Sequence, residues 1–448
     1  MYNRKEIRPM SFPPVSTKSL CPICLQPISA SKWADGTDVW LEKNCPQHGV
    51  QRVRISKDAV RFFDQTFAVE GKPVFQRQRP INKGCPEDCG LCPEHRQHLC
   101  TGLIEITDRC NLACPVCYYG DAPNATDISL AEFADRLETL LRTEGGKLDV
   151  LQISGGEPTL HPQFAEILDV AASKEVGRIL VNTNGLRLLN DDGPIRALDK
   201  QRHRAEVYLQ FDGFDDAVYR KLRNVDLIER KLKIIERLDE RGIKTSLTVT
   251  VFRDNLKELP AILDLACRVE SITGVTFQRL TKVGRARNFE TETILQEDIL
   301  HAIGRSDKLK YKDLIPLPCS HVNCTSLGFL FRTDGGKVYT LSDYVDYAKC
   351  KDVLANRIAF DKTILEYMKK NVCCCFVTKI FGDTFLLDKL REFSEGGGSS
   401  HRGMKILRVL VKNFMDAETF DVERAKQCCV GVSTGGNRIV PFCVHNLR

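Results

Sequence analysis

The sequence predicts an α/β fold: parallel strands joined by crossover helices, between a small N-terminal metal-knuckle unit and a Cys-rich C-terminal α+β region. Three observations carry this. Strand-like and helix-like stretches alternate from residue 101 to about 290, the pattern of parallel strands with right-handed crossovers. Two Cys knuckles open the chain, and scattered Cys with two Gly-Gly turns close it. With 448 residues, more than one domain is expected. The divisions predicted are 1–60, 61–100, 101–290 and 291–448.

Composition narrows the chemistry. Net charge is +6, from 65 basic and 59 acidic residues. That mild excess does not call for nucleic acid, and none is expected as a partner. The opening Met1-Tyr2-Asn3-Arg4-Lys5 lacks the apolar run of a signal peptide. No stretch approaches the ~20 apolar residues that span a bilayer. The 20 Cys, in C-x2-C and C-x3-C spacings, therefore suggest metal in a reducing cytoplasm rather than disulfides.

In the first unit, Cys21-Pro-Ile-Cys24 and Cys45-Pro-Gln-His48 have the spacing of a zinc ribbon or a rubredoxin-like iron site. Cys21, Cys24, Cys45 and His48 are the expected ligands of one zinc or iron. His48 could instead stand behind another Cys. Residues 61–100 then carry Cys85-Pro-Glu-Asp-Cys89-Gly-Leu-Cys92, followed eight residues on by Cys100. Those four make a closed ligand set. His95 and His98 are each a possible ligand or proton carrier, with hydrogen-bonded loop histidines as the plainer reading.

The alternating region offers strands at 103–107, 149–153, 178–183, 206–211, 245–251 and 274–279. Amphipathic helices are expected at 129–144, 162–174, 226–241 and 257–269, the first with Ser129 and Glu132 as a capping box. Just after the first strand comes Cys110-Asn-Leu-Ala-Cys114-Pro-Val-Cys117. At this Cys frequency about 0.04 copies of C-x3-C-x2-C are expected by chance, and the chain holds two. This copy has no further Cys until Cys267. Three thiolates can hold three irons of a [4Fe-4S] cluster, which leaves the fourth open. Cys110, Cys114 and Cys117 are therefore the candidate catalytic set.

The triad, then Ser154-Gly155-Gly156-Glu157-Pro158 after the second strand and Val181-Asn182-Thr183-Asn184-Gly185 on the third, resembles the radical S-adenosylmethionine enzymes. The resemblance implies a partial (β/α)6, TIM-like barrel. It also implies S-adenosylmethionine chelated at the open iron and split by one electron to a carbon radical. Chemistry would gather at the C-terminal strand ends. There the expected cofactor contacts are Gly155, Gly156, Glu157, Asn182, Asn184, Asp212 and Gln278, with Thr248 and Thr250 as strand residues nearby. Val116 stands where the family often has an aromatic. Arg279, Lys282, Arg285 and Arg287 form a basic run that reads as a solvated loop or an anion patch.

Residues 300–448 hold Cys319, Cys324, Cys350, Cys373-Cys374-Cys375, Cys428-Cys429 and Cys443. Cys319, Cys324, Cys429 and Cys443 are the expected ligands of a second auxiliary cluster, with Cys428 or Cys350 as replacements. Cys373 to Cys375 read as buried filler. Asp334-Gly-Gly-Lys337 and Thr434-Gly-Gly-Asn437 read as hairpin turns, and Ser394–Ser400 as a flexible loop. Met404–Lys412 reads as a basic amphipathic helix, docked on the core or lying at a membrane surface.

Together the knuckles, the Lys83–His98 segment, the triad and Pro441-Phe-Cys-Val-His-Asn446 resemble the group related to tetraether lipid synthase. That group also includes a methylase acting on a hydroxymethyl-dihydropterin. The resemblance implies two auxiliary [4Fe-4S] clusters and a low-potential donor such as ferredoxin or flavodoxin. It makes carbon–carbon coupling of lipid alkyl chains the first expectation and radical methylation of a pterin-like small molecule the alternative. A non-catalytic electron carrier or zinc-knuckle binder would leave the Gly-Gly-Glu-Pro motif unexplained.

Overall fold

A computed structural model of the chain describes residues 12–119, 126–333, 336–343, 345–358 and 404–447. Two sheets organise it. The first is an antiparallel meander of β1 (Val15–Leu20), β2 (Pro27–Asp35), β3 (Asp38–Cys45) and β4 (Gly49–Ser56). Its strands alternate, so Ile28, Val39 and Leu41 turn inward. The knuckles sit where β1 leaves and where β3 turns into β4.

The second sheet holds the six expected strands in sequence order, each parallel to the next: β5 (Thr101–Glu105), β6 (Leu148–Ser154), β7 (Val176–Thr183), β8 (Ala205–Gln210), β9 (Thr245–Val251) and β10 (Ile272–Arg279). Both faces are covered, so their central residues are apolar and buried, as with Val150, Leu151 and Ile153. Helices Leu130–Thr143, Phe164–Ala172, Ile228–Glu240 and Leu259–Arg268 lie close to the expected spans. Ser129 caps the first by accepting from the Glu132 amide. Two further helices, Asp192–Lys200 and Asp216–Arg223, were not foreseen. Asp191 and Asp215 cap them, but at nine and eight residues each they offer barely two turns of periodicity.

Residues 404–412 correct the expected helix. They form β14 (Met404–Lys412), parallel to β10 and antiparallel to β12 (Thr325–Thr333). Leu407, Val411 and Phe414 fit a helical stripe, yet Leu407, Val409 and Val411 are all buried, which is a period of two. Arg408 is used inside the molecule: its guanidinium donates to both oxygens of Glu206 on β8, at 2.9 and 3.1 Å. Burial opposes ionisation of Glu206, but Arg408 and Arg178 outweigh it and hold the carboxyl below its ordinary range. The membrane-surface reading of this segment goes with the helix. No helix among the described residues is long and apolar enough to cross a membrane.

The C-terminal region adds to both edges of the barrel sheet. Beyond β14 and β12 lie β11 (Ile315–Pro316) and β13 (Val338–Thr340). On the other edge, β15 (Val430–Gly435) pairs parallel with β5, and β16 (Arg438–Pro441) pairs antiparallel with β15. The turn between the last two uses Gly435, Gly436 and Asn437 at positive φ. Cys373 to Cys375 and the Ser394–Ser400 loop lie outside the described residues, as do Asp334 and Gly335 of the other expected turn.

Candidate active site

The C-terminal ends of β5 to β10 surround a cavity of about 720 Å³. Cys110, Cys114 and Cys117 line it, with Gly155, Gly156, Asn182, Asn184, Thr248, Thr250 and Gln278. Cys110 is exposed and Cys114 is buried. Two glycines seat the triad loop. A Cβ on Gly155 would collide with the Thr107 carbonyl, and one on Gly156 with the Arg109 carbonyl. The close approach lets the Gly156 and Glu157 amides donate to those carbonyls, each at 2.7 Å. The pattern suggested glycines for access to a ligand; they also hold the cysteine loop against β6.

Two expected contacts work from behind the wall. Glu157 is wholly buried. Its carboxylate accepts from Thr159, from the Thr183 hydroxyl at 2.6 Å and from the Asn184 amide at 2.7 Å. Asn184 in turn donates to Asn111 in the triad loop at 2.7 Å. Asp212 is also fully buried. Arg223 clamps it with bonds of 2.8 and 3.0 Å, and the Thr250 amide adds a third. Glu157 and Asp212 are thus occupied as positioning groups, because a buried carboxylate needs partners.

Arg223 escaped the sequence reading. Its guanidinium reaches the Val116 carbonyl at 3.0 Å, sets its charge near Cys114, and lines the cavity. Burial raises the Cys114 thiol, and Arg223 opposes the rise. Lys231 was missed too. It is fully buried and donates to the Asn184 carbonyl at 2.6 Å and to Gln210 at 3.1 Å. Burial brings its pKa down to about 7. Their only sequence signal is a cation within an otherwise amphipathic helix. Most of the basic run is engaged: Arg279 is buried against Asn413 and Phe414, Lys282 pairs with Glu418, and Arg287 donates to the Leu447 carbonyl, while Arg285 lines the cavity.

Behind Cys117 an inner chamber of about 120 Å³ continues from the cavity. Both spaces share Cys117, Tyr118, Tyr119, Ser154, Gly155, Asn182 and Gln278. The chamber adds Glu105, Gln152, Lys412 and Asn446 as polar walls, with Phe414 and Phe442 as aromatic ones. Asn182 donates to Ser154 at 3.1 Å, while its buried Oδ1 has no hydrogen-bond partner.

The other Cys residues fall into groups. The ligand atoms of Cys21, Cys24, Cys45 and His48 lie within 4.8 Å of one another. His48 Nδ1 is 3.5 Å from Cys21 and 3.4 Å from Cys45. Burial opposes ionisation of Cys21, but the amides of Cys24 and Ile23 aimed at its sulfur bring it down to about 6. That donor set suits a tetrahedral zinc or iron.

The second grouping differs from expectation. Cys100 leaves Cys85, Cys89 and Cys92 and joins Cys319 and Cys429, their sulfurs within 4.8 Å. The cause is strand register: parallel pairing sets Thr101 opposite Val430, so the residues before them are neighbours. Cys100 and Cys319 touch, but their Cα atoms are 7.7 Å apart. That is wider than a relaxed disulfide spans, and a third thiol is present, so the trio reads as ligands. Cys350 is buried in the same apolar cluster. Cys324 and Cys443 fall outside the trio. Cys324 accepts from Arg424 at 3.4 Å, and Cys443 packs in one cluster with Cys85 and Cys89. His98 bonds Glu144 and the Asn356 carbonyl, each at 2.9 Å, and its Nε2 stands 3.5 Å from the Cys100 sulfur. His95 is buried, and burial brings its pKa down to about 4.

Comparison with known proteins agrees with this layout. The Radical SAM superfamily model matches residues 104–266, and the HMPTM N-terminal zinc ribbon domain matches residues 14–57. The chain is 28% identical over 483 residues to 7,8-dihydro-6-hydroxymethylpterin dimethyltransferase of Methanocaldococcus jannaschii, covering 96% of this chain and 93% of that protein. It is 29% identical over 208 residues to Fe-coproporphyrin III synthase of Methanosarcina barkeri, covering 44% and 48%. The Streptococcus suis SuiB structure with precursor peptide SuiA aligns at 15% identity and a TM-score of 0.41, over 47% of this chain and 45% of that one. The chain thus spans about half the length of the latter two.

Proposed function

We propose that this radical S-adenosylmethionine enzyme methylates a small nitrogen heterocycle of the pterin class. The observation that carries the reading is the inner chamber. Glu105, Gln152, Asn182, Gln278, Lys412 and Asn446 line it. An alkyl chain offers these polar groups no hydrogen bond and would leave the Asn182 Oδ1 unpaired, whereas a flat heterocycle can bond to them and stack on the rings of Phe414 and Phe442. Likeness over nearly the full length to a pterin dimethyltransferase supports the same choice. The first expectation, lipid coupling, gives way to its alternative.

A [4Fe-4S] cluster held by Cys110, Cys114 and Cys117 supplies, when loaded, the electron that cleaves S-adenosylmethionine. The chain's own residues do the rest of the positioning. Arg223 sets its positive charge beside Cys114 and holds the loop through Val116. Gly155, Gly156, Asn182, Asn184 and Gln278 face the cavity where the methionine and ribose parts would sit. Cys100, Cys319 and Cys429, with Cys350 near, are candidates for one auxiliary cluster. Cys85, Cys89, Cys92 and Cys443 are candidates for another, and the knuckle for one zinc or iron. A ferredoxin or flavodoxin would supply the electron.

The test is anaerobic turnover of reconstituted protein with S-adenosylmethionine, reductant and 6-hydroxymethyl-7,8-dihydropterin. The expected outcome is 5′-deoxyadenosine together with pterin carrying one or two added methyl groups. Unmodified pterin, with coupled chains formed from an alkyl lipid instead, would restore the lipid reading.

A further inference from the structure

Glu105 ends β5 and lines the chamber but not the large cavity. It also borders a separate outer cleft of about 420 Å³, so it stands where the chamber meets the outside. Among the described residues it is the one carboxylate lining either space. His445 Nε2 lies 3.3 Å from one of its oxygens, and the Tyr119 hydroxyl stands beside the same carboxylate. These two contacts fix the group's position. They do not exhaust it, because a carboxylate has about four lone-pair sites. A second acceptor waits on the chamber wall: the buried Oδ1 of Asn182, without a partner. The chamber thus presents acceptors on two sides, with the rings of Tyr118, Phe414 and Phe442 clustered at centroid distances of 4.8–5.9 Å.

A fixed carboxylate is matched best by two parallel N–H donors, as in its pairing with a guanidinium. An amino-pyrimidine edge carries that pair of donors on a flat ring. We propose that Glu105 is a specificity-determining residue that reads the 2-amino-pyrimidine edge of the substrate, with Asn182 accepting a further N–H. His445 and Tyr119 are positioning residues for Glu105. The ring would enter by the outer cleft and point its opposite edge toward Cys117, the side shared with the large cavity. This rests on the pterin reading and sharpens it. A site built to bond an N–H discriminates strongly against an analogue lacking it, since its acceptors are then left unpaired.

The experiment is an anaerobic fluorescence titration of the full-length, metal-loaded protein with 6-hydroxymethylpterin and with 6-hydroxymethyllumazine, in which oxygen replaces the 2-amino group. The wild type should bind the amino compound at least tenfold more tightly. Glu105→Gln, checked for iron content and melting temperature, should lose at least tenfold for the amino compound and little for the lumazine, so the ratio collapses. An unchanged ratio in the variant would overturn the assignment. Should the variant fold poorly, the wild type still decides: equal affinity for both compounds refutes Glu105 as reader while leaving a pterin substrate in place. If the wild type binds neither compound, the pterin reading falls and this inference with it.

Discussion

The knuckle site and the barrel triad use the same thiol chemistry in opposite ways. Cys21, Cys24, Cys45 and His48 converge within 4.8 Å on the turns of one small antiparallel sheet, with backbone amides already aimed at a sulfur. Four donors match the coordination number of a tetrahedral structural metal site. Cys110, Cys114 and Cys117 lie instead on a loop beyond β5, one of them exposed, beside a cavity of about 720 Å³. Their support comes from other strands: the glycine approach from β6, Asn184 from β7 and Arg223 from the helix after β8. A closed site can be built from local turns. An open site needs a scaffold that holds three ligands and keeps space for a fourth partner.

The most severe way to break the comparison is to remove the open set. Cys110→Ala with Cys114→Ala and Cys117→Ala should reduce 5′-deoxyadenosine to the no-enzyme level while most iron stays bound. Persistent cleavage would move the radical chemistry to the Cys85 copy of the motif.

Next in size is loss of the Cys100 group, which sits before β5 and β15. Cys100→Ala and Cys429→Ala should each remove about four irons, and the double variant no more than either alone. Cys100→Ala combined with Cys85→Ala should remove about eight. If Cys100 and Cys85 instead behave as one site by iron and sulfide assay, the strand-register grouping is wrong. Loss of the Cys100 site should also raise the ratio of 5′-deoxyadenosine to methylated product if that cluster takes part in electron exit.

A third test concerns the scaffold of the open site. Asp212→Ala strands the buried Arg223, and breaking a buried pair this way costs about 3–5 kcal/mol. Denaturant unfolding should record that loss. A cost near zero would mean that the Val116 carbonyl and the Thr250 hydroxyl, at 3.0 and 2.8 Å, suffice for the buried Arg223.

The smallest expected effect lies at the knuckle's base. Lys32 meets Asp421 at 2.7 Å with both side chains buried, and Thr17 bonds the same carboxylate. Burial opposes ionisation of Asp421, but Lys32 outweighs it and holds the carboxyl below its ordinary range. A depressed folded-state pKa stabilises above the unfolded value and fades as pH falls through the folded one. Melting curves should therefore show the wild type losing stability at pH below the usual carboxylate range. Asp421→Asn, less stable at neutral pH, should lose less over that same interval. Parallel slopes would exclude this pair as a source of acid sensitivity.

Local pattern was enough for the elements that depend on neighbours in the chain. The six parallel strands, four of the crossover helices, the knuckle spacing and the triad motif all follow from periodicities and spacings within a few residues. Three things waited for the tertiary structure. Met404–Lys412 carries an alternation that a helical stripe can mimic, and only its place between β10 and β12 selects the strand. Cys100 is near Cys92 in sequence, yet pairing of β5 with β15 sets it beside Cys429. Glu157 and Asp212 sit at strand ends as cofactor ligands would, but burial commits them to Thr183, Asn184 and Arg223. The physical reason is common to all three. Residue type and spacing specify which bonds a group can make, whereas long-range strand register and desolvation decide which partner it meets.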